Sequence, residues 1–175
     1  MRADGRAVPP REPALPDGFD RAEVCMQLDW TDIVLRLGAA TLAGIAIGLN
    51  RDLNNKPIGM RTLSLVSLGA ATVTVASVQY STMAEHPDAL SRVVQGVIQG
   101  IMAGISFIGA GVILRDRNKG TVEGLTTAAT VWMSAALGIA CGLAAWIVMG
   151  IAIVLALAAL VGLYWLDRVM GLKNE

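Results

Sequence analysis

The feature that most constrains this chain is a long stretch without charge in its second half. Every residue from 124 to 166 is uncharged. A helix needs about 20 predominantly apolar residues to cross the hydrocarbon of a bilayer, so this stretch has the length for two crossings. The sequence therefore predicts a membrane protein.

The overall composition agrees with that prediction. Apolar residues make up 54% of the chain, and the mean hydropathy is +0.58. The 14 basic and 14 acidic residues cancel, which is unlike the positive excess of a nucleic-acid-binding protein. The lipid bilayer is the expected surrounding, and no nucleic-acid partner is expected.

Composition also divides the chain into three parts. Residues 1–31 are rich in proline and charge and show no helical period, so they are predicted to form a disordered polar tail. Residues 32–167 form the predicted transmembrane domain, and residues 168–175 a short C-terminal tail. No apolar stretch follows the charged start, so no secretory signal is expected. Met26 remains an alternative start.

Charged borders mark five apolar segments. They cover residues 33–49, 62–78, 93–114, 125–141 and 144–166. Backbone amides in lipid must be hydrogen-bonded within their own segment, so spans of this length are expected to be helices. The predicted fold is an all-α membrane protein, a bundle of about five transmembrane helices.

The orientation follows from basic residues in the short loops. The first and third loops carry Arg51, Lys56, Arg61, Arg115, Arg117 and Lys119. Such loops face the cytoplasm in most multi-pass proteins. Five crossings then place the N-terminus outside and the C-terminus in the cytoplasm.

Glycines recur at helical spacing in three segments. Gly96, Gly100 and Gly104 form a smooth strip in the third segment. The same spacing occurs at Gly44 and Gly48 in the first segment and at Gly138 and Gly142 in the fourth. Two further glycines, Gly109 and Gly111, lie near the end of the third segment. Small residues let two membrane helices approach closely. Both packing within one chain and contact in a homo-oligomer remain open.

Polar side chains within the spans allow three roles. Gln95 and Gln99 share a helix face, while hydroxyls recur in the fourth segment at Thr126, Thr127, Thr130 and Ser134. The hydroxyls can form hydrogen bonds to carbonyls of their own helix or to a neighbouring helix. Alternatively, Gln95, Gln99 and Thr130 can line a path for a solute. Arg36 is expected to reach the headgroups beside Asp32.

Nothing in the sequence indicates catalysis. Cys25 and Cys141 lack a CxxC or Cys/His spacing, so neither a disulfide nor a zinc site is expected. His86 has no nucleophile near it in sequence, and no carboxylate falls near the middle of a span, where a magnesium site would need one. We therefore expect no enzyme activity, no cofactor and no bound metal.

The first loop contains a compact turn, Lys56-Pro57-Ile58-Gly59-Met60-Arg61. Pro57 fixes one backbone angle, and Gly59 permits a left-handed conformation. The turn can act as a topology signal that contacts lipid headgroups, or it can form a docking surface.

Three sequence blocks in this order resemble the MgtC/SapB family of bacterial membrane proteins. The first runs from Arg36 through Arg51-Asp52 to the turn and Thr62. The second is Gly104-Ile-Ser-Phe-Ile-Gly-Ala-Gly-Val-Ile-Leu-Arg115, and the third is Gly124-Leu-Thr-Thr-Ala-Ala129 with Trp132. The resemblance implies that partner-binding or motif positions are Arg51, Asp52, Lys56, Pro57, Gly59, Arg61, Thr62, Arg115, Gly124, Thr126 and Thr127.

The resemblance also implies a function. It implies an inner-membrane protein linked to growth in low magnesium, acid tolerance or virulence, acting as a regulator that binds other membrane proteins such as ATP synthase. The alternative is an oligomeric transporter or channel for magnesium or another small ion. Two departures, Asn50 for the usual Glu and Glu123 for the usual Arg, change the charge of the cytoplasmic face. Many members continue into a soluble α/β domain, and functions of that domain are not expected here.

Overall fold

The fold was examined in a computed structural model that describes residues 29–81, 87–115 and 122–169. Its helices are α1 (Trp30–Leu53), α2 (Met60–Ser81), α3 (Pro87–Val112), α4 (Leu125–Gly142) and α5 (Trp146–Val169). In the third loop, β1 (Leu114–Arg115) pairs antiparallel with β2 (Val122–Glu123). Within the described ranges, α1 to α4 are each long and apolar enough to cross a membrane, and α5 adds an apolar stretch over Trp146–Gly162.

The prediction of an all-α membrane bundle is confirmed. Residues 1–28 of the predicted tail lie outside the described residues, and so do residues 170–175. Arg117, Lys119, His86 and Cys25 also lie outside them.

Helix α4 lies at the centre of the bundle. In its most apolar window 56% of the residues are buried, compared with 11% in the window of α3. Helix α2 packs against both α1 and α4, α3 packs against α4 and α2, and α5 packs against α4 and α1. A helix without any charged residue, as α4 is, suits this central place.

Glycines mark the closest approaches between α1, α2 and α4. A Cβ atom built on Gly44 would lie 2.5 Å from the carbonyl oxygen of Leu63 in α2. The same construction on Gly48, Gly138 and Gly142 meets Met60, Ser67 and Thr74 of α2 within a forbidden distance. Helix α2 is therefore clamped between two glycine faces, one from α1 and one from α4.

The glycine strip of α3 behaves differently. Cβ atoms built on Gly96, Gly100 and Gly104 would meet no atom within 4 Å. These three glycines therefore do not pack against any residue that the structure describes, because α3 meets its described neighbours through another face, with Ile105 buried. On that face a Cβ atom built on Gly109 would lie 3.7 Å from the Cβ of Ala128 in α4, an ordinary contact distance, whereas one built on Gly111 would meet no described atom within 4 Å.

Arg36 joins α1 to the end of α4. Its guanidinium forms an ion pair with Asp32 at 2.6 Å, and Nη1 donates a hydrogen bond to the carbonyl oxygen of Gly142 at 2.8 Å. The side chain is only 14% exposed. Arg36 thus has two contacts inside the protein, and the carbonyl of Gly142 is available to it because the last carbonyls of a helix lack intrahelical donors. Contact of Arg36 with lipid headgroups stays a prediction.

Candidate site at the basic end of the bundle

Arg51 is the central residue of the site. It lies in the last turn of α1, at the end of the bundle where α2 and α4 begin, which we call the basic end. The residue is only 2% exposed. Nε donates to the carbonyl oxygen of Ile58 at 3.1 Å, while Nη2 donates to the carbonyl oxygen of Pro57 at 2.9 Å and to Oγ1 of Thr127. One guanidinium therefore holds together α1, the turn and α4.

Neutral oxygens surround this buried charge. Among the residues that the structure describes, no carboxylate forms an ion pair with Arg51, since the pair found there is Arg36 with Asp32. The carbonyl end of a helix favours a cation, and the rigid guanidinium fork directs several donors at once. The position therefore needs arginine rather than a simple positive charge.

Asp52 holds the start of α2. Its Oδ2 accepts a hydrogen bond from the backbone N–H of Met60 at 3.0 Å. A carboxylate is favoured there because the first N–H groups of a helix have no intrahelical partner. A Cβ atom on Gly59 would overlap the Asp52 carboxylate. Gly59 thus gives room for this contact.

The prediction that Gly59 adopts a left-handed backbone conformation is wrong. The left-handed residues of the loop are Asn55, with φ of 51°, and Ile58, with φ of 64°. A left-handed β-branched residue costs on the order of 1–3 kcal/mol and persists only where its surroundings hold it. The carbonyl of Ile58 bonds to Arg51, and its side chain packs against the core. The sequence carries no signal for this, because the adjacent glycine is the ordinary choice.

Gly124 sets the start of α4. It adopts φ of 89°, and a Cβ atom there would collide with the carbonyl oxygen of Val112 at the end of α3. Both the backbone conformation and the space therefore require glycine. This turn directs α4 so that Thr127 faces Arg51.

The remaining charges of the turn are exposed. Lys56, Arg61 and Thr62 all lie on the surface, at the loop and at the start of α2. Pro57 is also exposed, although its carbonyl is used by Arg51. Arg115 lies in β1, opposite Val122 of β2.

The residues suggested for a polar path are separated. Gln95 and Gln99 are exposed on α3, whereas Thr130 is 5% exposed and donates to the carbonyl oxygen of Thr127 in its own helix at 2.8 Å. Thr126 lines an apolar cavity of about 520 Å³ between α4 and α5. The amides and the hydroxyls therefore lie on different surfaces.

Two buried hydroxyls of α2 were missed by sequence reasoning. Ser67 and Thr74 lie opposite Gly138 and Gly142 of α4, one pair each. Thr74 bonds back to the carbonyl of Ala70 at 2.8 Å. The seven-residue spacing of Ser67 and Thr74 was the available signal, since it places both on one face.

The chemistry of the site is recognition and packing. In the ranges 29–81, 87–115 and 122–169, no group of three or more His, Cys, Asp or Glu side chains is placed to hold a metal ion. The buried guanidinium of Arg51 forms hydrogen bonds within the protein, while Lys56 and Arg61 place positive charge on its surface.

Comparison with known proteins assigns the chain to a family. The model of the MgtC family matches residues 37–169, which include the whole basic end. The chain belongs to the MgtC family. No solved structure matches it.

Relatives of the MgtC family align with the same region. Protein SrpB of Synechococcus elongatus is 40% identical over 157 residues, which cover 85% of this chain and 84% of that protein. Protein SapB of Bacillus subtilis is 41% identical over 67% of this chain and 51% of its own length. Protein MgtC of Salmonella typhimurium is 41% identical over 63% of this chain and 43% of its own length. The chain thus spans about half or less of SapB and MgtC.

Proposed function

We propose that this protein is a bacterial inner-membrane regulator that acts by binding other membrane proteins through its basic end. The family resemblance suggests ATP synthase as one partner, and growth in low magnesium, acid tolerance or virulence as the setting. The observation that carries the proposal is a division among the basic residues. Arg51 is buried and forms its hydrogen bonds within the protein, while Lys56 and Arg61 are exposed beside it.

The shape of the turn supports docking. Arg51 bonds two successive carbonyls of the turn, and Asp52 bonds the first N–H of α2. A surface held in one shape loses less conformational entropy on binding. Exposed Lys56 and Arg61 then favour a partner with acidic side chains close to the membrane plane.

The orientation belongs to the same proposal. Basic loops favour the cytoplasmic side, so we place the basic end and the C-terminus in the cytoplasm and the N-terminus outside. A partner would then meet the turn from the cytoplasm.

The transport alternative receives less support. A path needs its polar groups on one continuous surface, whereas Gln95 and Gln99 are exposed on α3 and Thr130 is buried on α4. The large cavity beside α5 is lined mainly by apolar residues, including Ile47, Met133 and Leu155. Such a lining offers few oxygen ligands to an ion.

A photo-crosslinking experiment tests the regulator. Leu53 ends α1 and is 73% exposed, so a photoreactive amino acid there leaves the charges of the turn intact. We expect irradiation in native membranes to capture a defined membrane complex, identified by mass spectrometry. Arg61→Ala should reduce the capture without lowering the amount of protein.

Arg92 supplies the matched control. It is an exposed arginine near the start of α3, at the opposite end of the bundle. Arg92→Ala should leave the capture unchanged. Capture of lipid and of this chain alone, or an equal loss in both variants, would reject the proposal.

A further inference from the structure

Two amides on the outer surface of α3 are exposed within an apolar span. Gln95 and Gln99 are exposed and form no side-chain hydrogen bond to any residue that the structure describes. They lie in the span Ser91–Val112, with Gln99 two turns inside its start. The hydrocarbon of the bilayer offers such an amide no hydrogen-bond partner, and leaving it unbonded is costly.

The surface beside these amides is open to a second helix. Gly96 lies three residues before Gln99, and Gly100 directly follows it, so the amides border the strip of glycines described above. A Cβ atom at Gly96, Gly100 or Gly104 would meet no atom of the described residues within 4 Å, whereas glycines at the same spacing in α1 and α4 are in close contact with α2. Phe107, one turn beyond Gly104, is 83% exposed.

We propose that this α3 face binds the α3 face of a second copy of the chain. The occupant follows from the chemistry of the face. A glutamine amide carries both donor and acceptor groups, so Gln99 of two copies can bond to each other across a two-fold axis. The face is uncharged between Gln95 and Phe107, so like charges do not oppose this pairing.

The membrane fixes the geometry of the pair. Both copies cross the bilayer in the same sense, so the two α3 helices run parallel, with the axis along the membrane normal. Glycines spaced by four residues allow the two backbones to touch. The basic ends of both copies then lie on the same side, and the pairing leaves Lys56 and Arg61 exposed.

Energy transfer between fluorescently labelled full-length copies in lipid vesicles tests the pairing. The protein-to-lipid ratio is lowered until the copies separate. Gly100→Leu should weaken the association by about tenfold or more, because it holds the backbones apart. Gln99→Leu should weaken it by about threefold or more, through the lost bonds between the amides.

Gly69 provides the matched control. It lies on the exposed side of α2, and a Cβ atom there also meets nothing within 4 Å. Gly69→Leu should leave the association unchanged. Wild-type protein that stays monomeric at every ratio, or equal weakening by Gly69→Leu and Gly100→Leu, would overturn the proposal.

Crosslinking in native membranes tests the identity of the occupant. Cys25 and Cys141 are first replaced by serine and alanine, and Gln99→Cys is then oxidised. A disulfide between two copies is expected, and Val73→Cys on the exposed side of α2 should give none. A disulfide from Gln99→Cys to another protein, in place of the pair, would also overturn the proposal. Both outcomes of this disulfide experiment are independent of whether the photoreactive residue at position 53 captures a partner.

Discussion

Arg51 and Thr127 are 76 residues apart in the sequence and bond to each other inside the protein. The guanidinium at the end of α1 donates to the hydroxyl near the start of α4, and the same nitrogen also holds the carbonyl of Pro57. Two of the three sequence blocks that carry the family resemblance therefore meet at one side chain. The shape of the basic turn depends on this contact.

Thr127→Val should destabilise the protein by about 1–3 kcal/mol, because it leaves a buried guanidinium donor without its acceptor. Denaturation of the purified protein in mixed detergent micelles measures the change. Thr126→Val is the control, because Thr126 is exposed at the neighbouring position. Equal stability of the two variants would contradict a structural bond between Arg51 and Thr127.

Gly59→Ala should destabilise the protein by about 1–2 kcal/mol, because the new methyl group displaces the Asp52 carboxylate from the start of α2. The same denaturation experiment applies. In an Asp52→Ala background the cost of Gly59→Ala should largely disappear, since the carboxylate is the colliding group. An unchanged cost in that background would show that Gly59 serves another purpose.

Gly138→Ala should destabilise the bundle by about 1–3 kcal/mol, because its methyl group would meet the backbone carbonyl of Ser67. Backbone atoms of a packed helix cannot rotate away. Gly150→Ala in α5 has open space and should be neutral or stabilise by up to about 1 kcal/mol. Similar losses for both variants would argue against close packing of α2 on α4.

Much of the fold could be predicted from the sequence. Charged borders locate four of the five helices to within four residues at each end and the start of α3 to within six, because charge is excluded from the hydrocarbon. The break between the fourth and fifth helices was expected near Gly142, and α4 ends there, with Ala144 in a left-handed conformation. The bilayer fixes the length of each span and excludes charge from it, and both constraints are visible in the order of residues along the chain.

The contacts between helices could not be predicted in the same way. Spacing places Gly96, Gly100 and Gly104 on one helix face, and it does the same for Gly44 and Gly48. It does not indicate which helix each face contacts. The structure brings Gly44 and Gly48 against α2 and leaves the other three open.

The candidate site shows the same limit. The sequence singled out Arg51, Gly59 and Thr127 through the family motif. It could not show that the arginine is buried, that Asp52 occupies the space beside Gly59, or that Ile58 takes the left-handed conformation. Those features arise only when three distant segments meet.

Arg51 holds the turn through its bonds to Pro57, Ile58 and Thr127, and we propose that a partner recognises the turn in this shape. The most direct measurement is the yield of the captured complex from the photoreactive residue at position 53 in Thr127→Val, which loosens the turn and keeps Lys56 and Arg61. Thr72→Val, an exposed site on α2 remote from the basic end, is the control. We expect a reduced yield for Thr127→Val at equal protein level and an unchanged yield for Thr72→Val. Equal yields from both variants would contradict it.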